Sequence, residues 1–443
     1  MTKSPQHTNT GSSRKWSRSY GASCLMLVGI IFLNALPTQA GPPPPVESVE
    51  VRKEGLFVNG KPFFVVGIGW AAHWHFSLPE AGEKGFNMVE THGQSADPQS
   101  FRMDIDDAYA NGMYALASVG NGVWEDLERL EQIVMACRDA PGLLAWELEN
   151  EPNHPNNPYR FPPEKLKPAY DLIKRLDPVH PVEVRLAVGR LKDHQDYRDV
   201  TDIHTDGVYP VPAYSLTSVA QHADSVVKGA AGKPGWMRVQ MGPLQGGPKY
   251  IHEGGIPDRA PTMTEVRCMT YMAVAHGISG FNYFSFNFNA SGGDWWVNQS
   301  EPAYWAQWAD LTAELRRLAP YLLAPQVSGQ IEAESIEGSR EPAEGLHLSL
   351  RKTEGGYFLI AVNGFNSPIK ARFKVPVPDG GLAADGAAVR SEHRLVAVKN
   401  GVFEDSFGPY AVHLYEIPFK VKFTGPPKKE TISWPRWQRR PKG

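Results

Sequence analysis

A carboxylate and a side-chain amide stand together where a buried strand is predicted to end, in the stretch Trp146-Glu147-Leu148-Glu149-Asn150-Glu151-Pro152. The apolar residues from Leu143 predict the strand, and Pro152 ends it because proline cannot donate a hydrogen bond to a neighbouring strand. A carboxylate fixed at the carboxyl end of a parallel strand can give or take a proton in general acid–base catalysis. We therefore predict that Glu151 is catalytic and that Asn150 binds the substrate beside it.

Eight short apolar runs are predicted to form the strands that position these two residues. They span residues 63–70, 86–90, 114–120, 143–151, 182–188, 202–209, 236–241 and 278–286. Stretches with helical periodicity lie between or after them, among them 104–111, 127–138, 163–176, 264–276 and 304–318. Strands that alternate with helices predict a parallel sheet, and eight of them favour closure into a (β/α)8 TIM barrel. An open doubly wound sheet is the alternative, but no glycine-rich phosphate-binding fingerprint follows the first run.

The chain divides into five predicted segments. Residues 1–40 resemble a secretory signal, because a basic stretch and an apolar run from Cys24 to Leu36 precede Ala40, and this predicts a secreted or periplasmic protein. The other segments are a Pro-rich linker at 41–47, the barrel at 48–322, a β-sandwich at 323–423 and a basic Pro-rich tail at 424–443. The C-terminal antiparallel β-sandwich is predicted because the apolar pattern changes to period-two runs bounded by glycine turns.

Composition limits the partners. A formal net charge of −3 gives no electrostatic reason for binding nucleic acid or, once the signal is cleaved, a membrane. The 12 Trp and 16 Tyr suit sugar rings, although most aromatic side chains pack a core. Cys137 and Cys268 form no disulfide framework, and His73, His75, His92 and His204 match no compact ligand spacing. We expect a carbohydrate substrate and neither metal nor cofactor, and the oligomeric state stays open.

Other polar and aromatic residues fall at the predicted ends of barrel strands, where they would share a cavity with Glu151. Because the active site of a (β/α)8 barrel forms at these carboxyl ends, we predict that they bind substrate. These residues are Glu90, Tyr209, Asp206, Gln240, Tyr283 and Trp296.

The segment ending at Pro152 resembles strand four of the clan A retaining (β/α)8 glycoside hydrolases, in which the Glu of Asn-Glu-Pro is the acid/base. Segments 56–69, 173–178, 202–210 and 261–284 resemble further parts of that clan, the last of them family 42-like barrels, so the resemblance covers about residues 48–320. It implies a hydrolase that cleaves O-glycosidic bonds of a poly- or oligosaccharide. Glu151 would be its general acid/base, and Asn150 would hold a sugar hydroxyl.

The sequence departs from this clan at strand seven. The clan has a nucleophilic Glu there, whereas the stretch 233–240 ends in Gln240. An uncharged amide is a poor nucleophile, so the two-carboxylate mechanism lacks a member. Another carboxylate could take the role, at about 6.5–9.5 Å from Glu151 for an inverting reaction. The candidates are Glu90, Asp206, Glu253 and Asp294.

Three further possibilities remain. Gln240 could orient a substrate amide or a water molecule in substrate-assisted cleavage. The protein could bind glycans without cleaving them, on a degenerate glycosidase barrel. A polysaccharide lyase would need a base at the mouth and an arginine for a uronic acid, for which Arg185 and Arg238 give loose support.

Overall fold

A computed structural model describes the backbone of residues 41–69, 77–92, 97–155, 160–187, 189–244, 250–290, 293–327, 331–337, 345–376 and 385–419. Side chains 288–295 and 337 are not among the described ones. The predicted signal segment, the predicted tail, and His73 and His75 also lie outside the described residues.

The first half of the described chain alternates strands and helices. Its elements are β1 (Val49–Arg52), β2 (Gly55–Val58), β3 (Lys61–Phe63), β4 (Val65–Ile68), α1 (Leu78–Glu83), β5 (Met88–Thr91), α2 (Pro98–Ala110), β6 (Tyr114–Ser118), α3 (Leu127–Cys137), β7 (Leu143–Asn150), α4 (Pro163–Leu176), β8 (Val182–Ala187), α5 (Leu191–Asp196), β9 (Ile203–Val208), α6 (Ser218–Ala230) and β10 (Gly235–Gln240).

The chain continues with a short hairpin, the last barrel strand and the C-terminal sheets. These elements are β11 (Ile251–His252), β12 (Ile256–Pro257), α7 (Met263–Ala275), β13 (Gly280–Phe284), β14 (Asn287–Ala290), β15 (Gly293–Trp296), α8 (Val297–Ser300), α9 (Pro302–Leu322), β16 (Glu332–Glu337), β17 (Leu346–Lys352), β18 (Gly356–Asn363), β19 (Ile369–Lys374), β20 (Gly386–Val389), β21 (Arg394–Ala397), β22 (Val402–Phe407) and β23 (Val412–Pro418).

Eight parallel strands close into a barrel in the order β4-β5-β6-β7-β8-β9-β10-β13, with β13 paired to β4. The predicted TIM barrel is therefore confirmed. Nearly every strand residue is buried, because one face meets the barrel interior and the other meets the helices. That double burial explains why the strands read as continuous apolar runs.

The amino-terminal end of the barrel is closed by apolar packing. Leu56 and Val58 of β2 join a buried cluster with Val65, Met88 and Trp236, which lie near the starts of their strands. Residues 41–48 are extended and attached to this end, where Val46 N–H donates to Pro141 O at 2.9 Å. The carboxyl-terminal end, called the mouth below, is the end where polar side chains can collect.

Helix starts carry local signals. Asp97 caps α2 by accepting a hydrogen bond from Ser100 N–H, and Thr262 and Glu265 form a capping box at α7. Among the described residues, no helix combines the length and apolarity needed to cross a membrane.

The C-terminal strands form two antiparallel sheets, ordered β16-β19-β22 and β17-β18-β23-β20-β21. This arrangement confirms the predicted β-sandwich. Phe358, Ile360 and Leu414 belong to the same buried cluster as the barrel helices. Arg267 of α7 also donates to Val412 O at 3.0 Å, so the five-stranded sheet packs directly on the helical layer.

Candidate active site

Strand β7 carries the predicted catalytic segment. Trp146 and Leu148 pack in the apolar layer outside the barrel, while Glu147 and Asn150 contact the side chain of Arg185 on β8. The pairing of β7 with β8 shifts register between Glu147 and Glu149. This irregularity allows three acidic residues and an amide to meet the interior or the mouth within a short length of strand.

Glu151 follows the last residue of β7 and has a left-handed backbone, with φ of 55°. Its N–H donates to Arg185 O at 2.7 Å, and its carbonyl accepts from His154 N–H at 3.0 Å. Holding a non-glycine residue in this conformation costs about 1–2 kcal/mol. These hydrogen bonds thus fix the backbone of a half-buried glutamate at the end of β7.

The charge of Glu151 influences the hydroxyl of Tyr209. Burial of the hydroxyl raises the pKa of Tyr209, and the negative charge of Glu151 raises it further, while the positive charge of Arg238 opposes both. The ring retains some exposure and packs against Phe284 with centroids 5.5 Å apart. Tyr209 is therefore a neutral phenol at the mouth.

Beneath the mouth lies a layer of buried polar side chains, called here the charged floor. It consists of Glu90, Glu147, Glu183, Arg185, Arg238 and Asn282.

Arg185 is the centre of the charged floor. Its side chain is fully buried and forms an ion pair with Glu147. Its Nη1 and Nη2 donate to the two carboxylate oxygens of Glu90 at 3.2 and 3.3 Å. Its Nε donates to Asn150 Oδ1 at 2.7 Å. Arg185 thereby fixes the amide beside Glu151 from below.

Glu90 is 0% exposed and surrounded by donors. Asn282 Nδ2 donates to Oε2 at 2.8 Å, and Arg238 Nη2 lies 3.0 Å from the same oxygen. Burial alone would raise the pKa of Glu90, but Arg185, Arg238 and His92 outweigh it and hold the pKa well below its usual range. Because these donors occupy its carboxylate, Glu90 is not available as the second carboxylate, which corrects that expectation, while its contact with substrate stays a prediction.

His92 follows β5 and is 26% exposed. Its Nε2 lies 3.1 Å from Glu90 Oε1. Burial disfavours the charged ring, but contact with Glu90 outweighs it and raises the pKa of His92. At mildly acidic pH, His92 thus carries a positive charge at the mouth, next to Glu90 of the charged floor.

Burial raises the pKa of both remaining acids of the charged floor. Burial, followed by the charge of Glu147, raises the pKa of Glu183 to about 8. Burial also raises the pKa of Glu147, although Arg185 opposes the shift. Glu183 is therefore mainly protonated at neutral pH.

Glu149 supports the loop after β6. It accepts hydrogen bonds from Asn121 N–H at 2.9 Å, from Gly122 N–H at 3.3 Å and from Trp124 Nε1 at 2.7 Å. Burial raises the pKa of Glu149 in spite of these bonds. Its role is to order one wall of the mouth.

Gln240 ends β10 and is 0% exposed. Its Oε1 accepts from Val211 N–H at 2.9 Å, and its Nε2 donates to Val211 O at 2.8 Å and to Gly242 O at 3.0 Å. Because the whole amide is used by the backbone, Gln240 cannot orient a substrate or a water molecule. This corrects the prediction that it binds substrate.

Asp206 faces the helical layer rather than the cavity. It is 0% exposed and lies 2.9 Å from His222 Nδ1 on α6, with His194 of α5 at 3.7 Å. The contacts with His194 and His222 lower the pKa of Asp206 against the opposing effect of burial. Neither substrate binding nor the role of second carboxylate is open to it, which corrects both expectations.

The two predicted aromatic contacts have different surroundings. Tyr283 is 0% exposed, its hydroxyl lies 2.8 Å from that of Thr270, and its ring packs on Trp308. It is a core residue behind the barrel wall, and the prediction that it binds substrate is wrong. Trp296 is partly buried against Phe286, with centroids 6.0 Å apart, so its substrate contact stays a prediction.

Residues beside the predicted site form most of the charged floor. Arg185, Arg238 and His92 are not among the site residues predicted from the sequence. A sequence signal existed, since Glu183 and Arg185 alternate with apolar residues on β8 and Arg238 stands two residues before Gln240 on β10. Among the described residues, no group of three His, Cys, Asp or Glu side chains could hold a metal ion.

The sequence matches no family model, and a comparison with curated proteins finds no match. Among solved structures it is similar to a GH30 endoxylanase from Clostridium papyrosolvens, with 12% identity over 80% of this chain and 96% of that one, at a TM-score of 0.44. An alpha-amylase from Geobacillus thermoleovorans, in complex with acarbose, has 9% identity over 79% and 91% of the chains at 0.49. A GH2 beta-galacturonidase from Eisenbergiella tayi has 15% identity over 60% of this chain and 54% of its own at 0.43. At this distance the function must be argued from the site itself.

Proposed function

We propose that this protein is an exported glycoside hydrolase, secreted or periplasmic, in which Glu151 is the general acid/base. The observation that carries the proposal is the placement of Glu151, half-buried at the end of β7 with its backbone held by Arg185 O and His154 N–H. A carboxyl group fixed at the mouth of a (β/α)8 barrel can protonate a departing glycosidic oxygen.

Asn150 and Tyr209 complete the proposed contacts. Arg185 orients the Asn150 amide, so that its Nδ2 can donate to a sugar hydroxyl. Tyr209 offers a neutral hydroxyl and a partly exposed ring. Both side chains are preorganised, which matters because positioning contributes much of a catalytic rate.

The second carboxylate is proposed to be Asp294. Asp206 faces the helices, Glu90 is enclosed by donors, and Glu253 is exposed on the β11–β12 hairpin. Asp294 belongs to β15, in the hairpin that follows the last barrel strand. An inverting reaction requires a carboxylate that activates water, and the test below asks whether Asp294 has that role.

Glycan binding without hydrolysis is the second candidate. It is favoured by a specific observation: the strand-seven position holds an amide that is fully used by the backbone. A site of this kind could recognise a sugar without cleaving it.

The test compares wild type, Glu151→Gln and Asp294→Asn on a panel of poly- and oligosaccharides, with release of reducing ends and calorimetric binding measured in parallel. We expect Glu151→Gln to lose about 10²–10⁴-fold in rate with little change in affinity, as is typical for a general acid. Glu128→Gln, an exposed change on α3, is the matched control. The anomeric form of the product, followed by NMR, shows whether the reaction inverts.

Equal cleavage by wild type and Glu151→Gln would refute the catalytic role. Saturable binding of a glycan that wild type never cleaves would instead establish the second candidate.

A further inference from the structure

Six polar atoms of the charged floor lack a hydrogen-bond partner: Nε and Nη2 of Arg238, Oδ1 of Asn282, Oε2 of Glu147 and both carboxyl oxygens of Glu183. Three of them belong to Arg238 and Asn282, which are 2% and 1% exposed. Nη2 has only the ionic contact of 3.0 Å with Glu90. Buried donors and acceptors are almost always paired in proteins, so these atoms mark a position that a bound molecule would complete.

The unpaired donor and acceptor lie near each other against β4. A Cβ placed on Gly69 would be 2.5 Å from Arg238 Nη2 and 3.3 Å from Asn282 Oδ1. Glycine is needed there because any side chain would displace the guanidinium. A ligand that carries an anionic oxygen beside a hydroxyl could satisfy both atoms at once.

The charge of the charged floor and His92 is positive at mildly acidic pH. Arg185, Arg238 and protonated His92 supply three positive charges, against at most two from Glu90 and Glu147, because Glu183 is mainly neutral. At least one positive charge is left over. A buried excess charge needs a counter-charge, and an anionic ligand supplies it.

The path from Arg238 to the mouth passes two partly exposed rings. The guanidinium carbon of Arg238 lies 4.3 Å from the ring centroid of Phe284, and Phe284 packs on Tyr209. The charges of both Arg238 and Glu151 shift the pKa of the Tyr209 hydroxyl. Phe284 and Tyr209 therefore connect Arg238 with the surroundings of Glu151.

We infer that the cavity takes a uronic-acid residue, whose carboxylate is bound by Arg238 with His92 and whose neighbouring hydroxyl donates to Asn282. A neutral sugar could satisfy single atoms, but it would leave the positive charge uncompensated. This inference rests on the proposed function, since it names the sugar on which Glu151 would act.

The test uses the full chain carrying Glu151→Gln, so that binding is measured without cleavage. Trigalacturonate and a glucuronate-bearing xylo-oligosaccharide are titrated at pH 6 by calorimetry, each beside its neutral counterpart. We expect one of the acidic sugars to bind at least about tenfold more tightly than its counterpart, since charge-assisted hydrogen bonds replace neutral ones. Added salt should reduce this difference.

Arg238→Lys keeps the charge but loses the planar donors, and should weaken the acidic sugar about tenfold while the neutral sugar changes less than twofold. His92→Gln is a second variant, on a partly exposed residue, and it removes the positive charge that lies 3.1 Å from Glu90. Arg52→Lys, at the opposite end of the barrel, is the matched control.

Equal affinity for acidic and neutral sugars, or binding of neither, would overturn the inference. Tight binding of the acidic sugar that is lost in Arg238→Lys supports it even if wild type cleaves nothing, and in that case the hydrolase proposal alone fails. Cleavage of a neutral glycan, with no preference for an acidic sugar, would support the hydrolase proposal and overturn the inference of a uronic acid.

Discussion

Replacement of Glu183 by Gln should make the protein more stable, and increasingly so as the pH rises. Glu183 is 1% exposed, and both of its carboxyl oxygens lack a hydrogen-bond partner of good geometry. Burial and the charge of Glu147 raise its pKa from 4.5 to about 8. The neutral amide of Gln imitates the protonated acid and never acquires the buried charge.

The sign follows from proton binding. Between pH 4.5 and 8 the folded protein retains a proton on Glu183 that the unfolded chain releases. Stability from this group is therefore complete below pH 4.5 and is lost as the pH rises toward 8. A shift of this size corresponds to about 5 kcal/mol in all, of which about 2.5 kcal/mol falls between pH 5 and 7.

The assay is urea unfolding of wild type and Glu183→Gln at pH 5, 6 and 7, from which the free energies of unfolding are compared. The variant should gain about 2.5 kcal/mol on wild type over this range. Glu128→Gln, which changes an exposed carboxylate, should show no such gain. A difference between Glu183→Gln and wild type that stays constant with pH would refute the buried, protonated state.

Two further changes test the walls of the mouth. Gln240→Glu restores the clan's residue type but turns a carboxylate oxygen toward two backbone carbonyls, so we expect a loss of about 2–4 kcal/mol in unfolding free energy and no gain in hydrolysis. The exposed change Gln221→Glu is its control, and an increase in activity would contradict the bracing role. Trp124→Phe removes the donor to Glu149 and should cost about 1.5–3 kcal/mol beyond Trp236→Phe, whose Nε1 has no partner, by the same urea assay. Equal losses in these two variants would show that the hydrogen bond contributes nothing.

The barrel was predictable because its strands are buried on both faces. Runs such as 114–120 and 182–188 are apolar enough to be read as strands without knowledge of their neighbours, and the structure has β6 and β8 there. The amphipathic stretches between the strands were predictable as helices for a similar reason, because their apolar residues recur at helical spacing. The period-two pattern after the barrel likewise predicted the sandwich.

The direction of each polar side chain was harder to predict. Asp206 and Tyr283 were placed in the cavity because they stand near strand ends, but on β9 and β13 it is Thr205 and Asn282 that lie with the inward-facing set. A single residue decides between the two faces of a strand. His194 and His222, which stabilise Asp206 from the helices, lie apart from it in sequence, so no local pattern revealed their contact.

The position of the negative charge bears on the departure from the resembling clan at strand seven. That clan has a carboxylate at the end of strand seven, whereas here strand seven ends in Gln240, and a carboxylate lies lower, at Glu90 on strand two. The Glu90 carboxylate is occupied by its donors, and it contacts both Arg238 and His92. Under the proposed function, Glu151 therefore acts above a positively charged floor, and the second carboxylate must come from elsewhere than the end of strand seven.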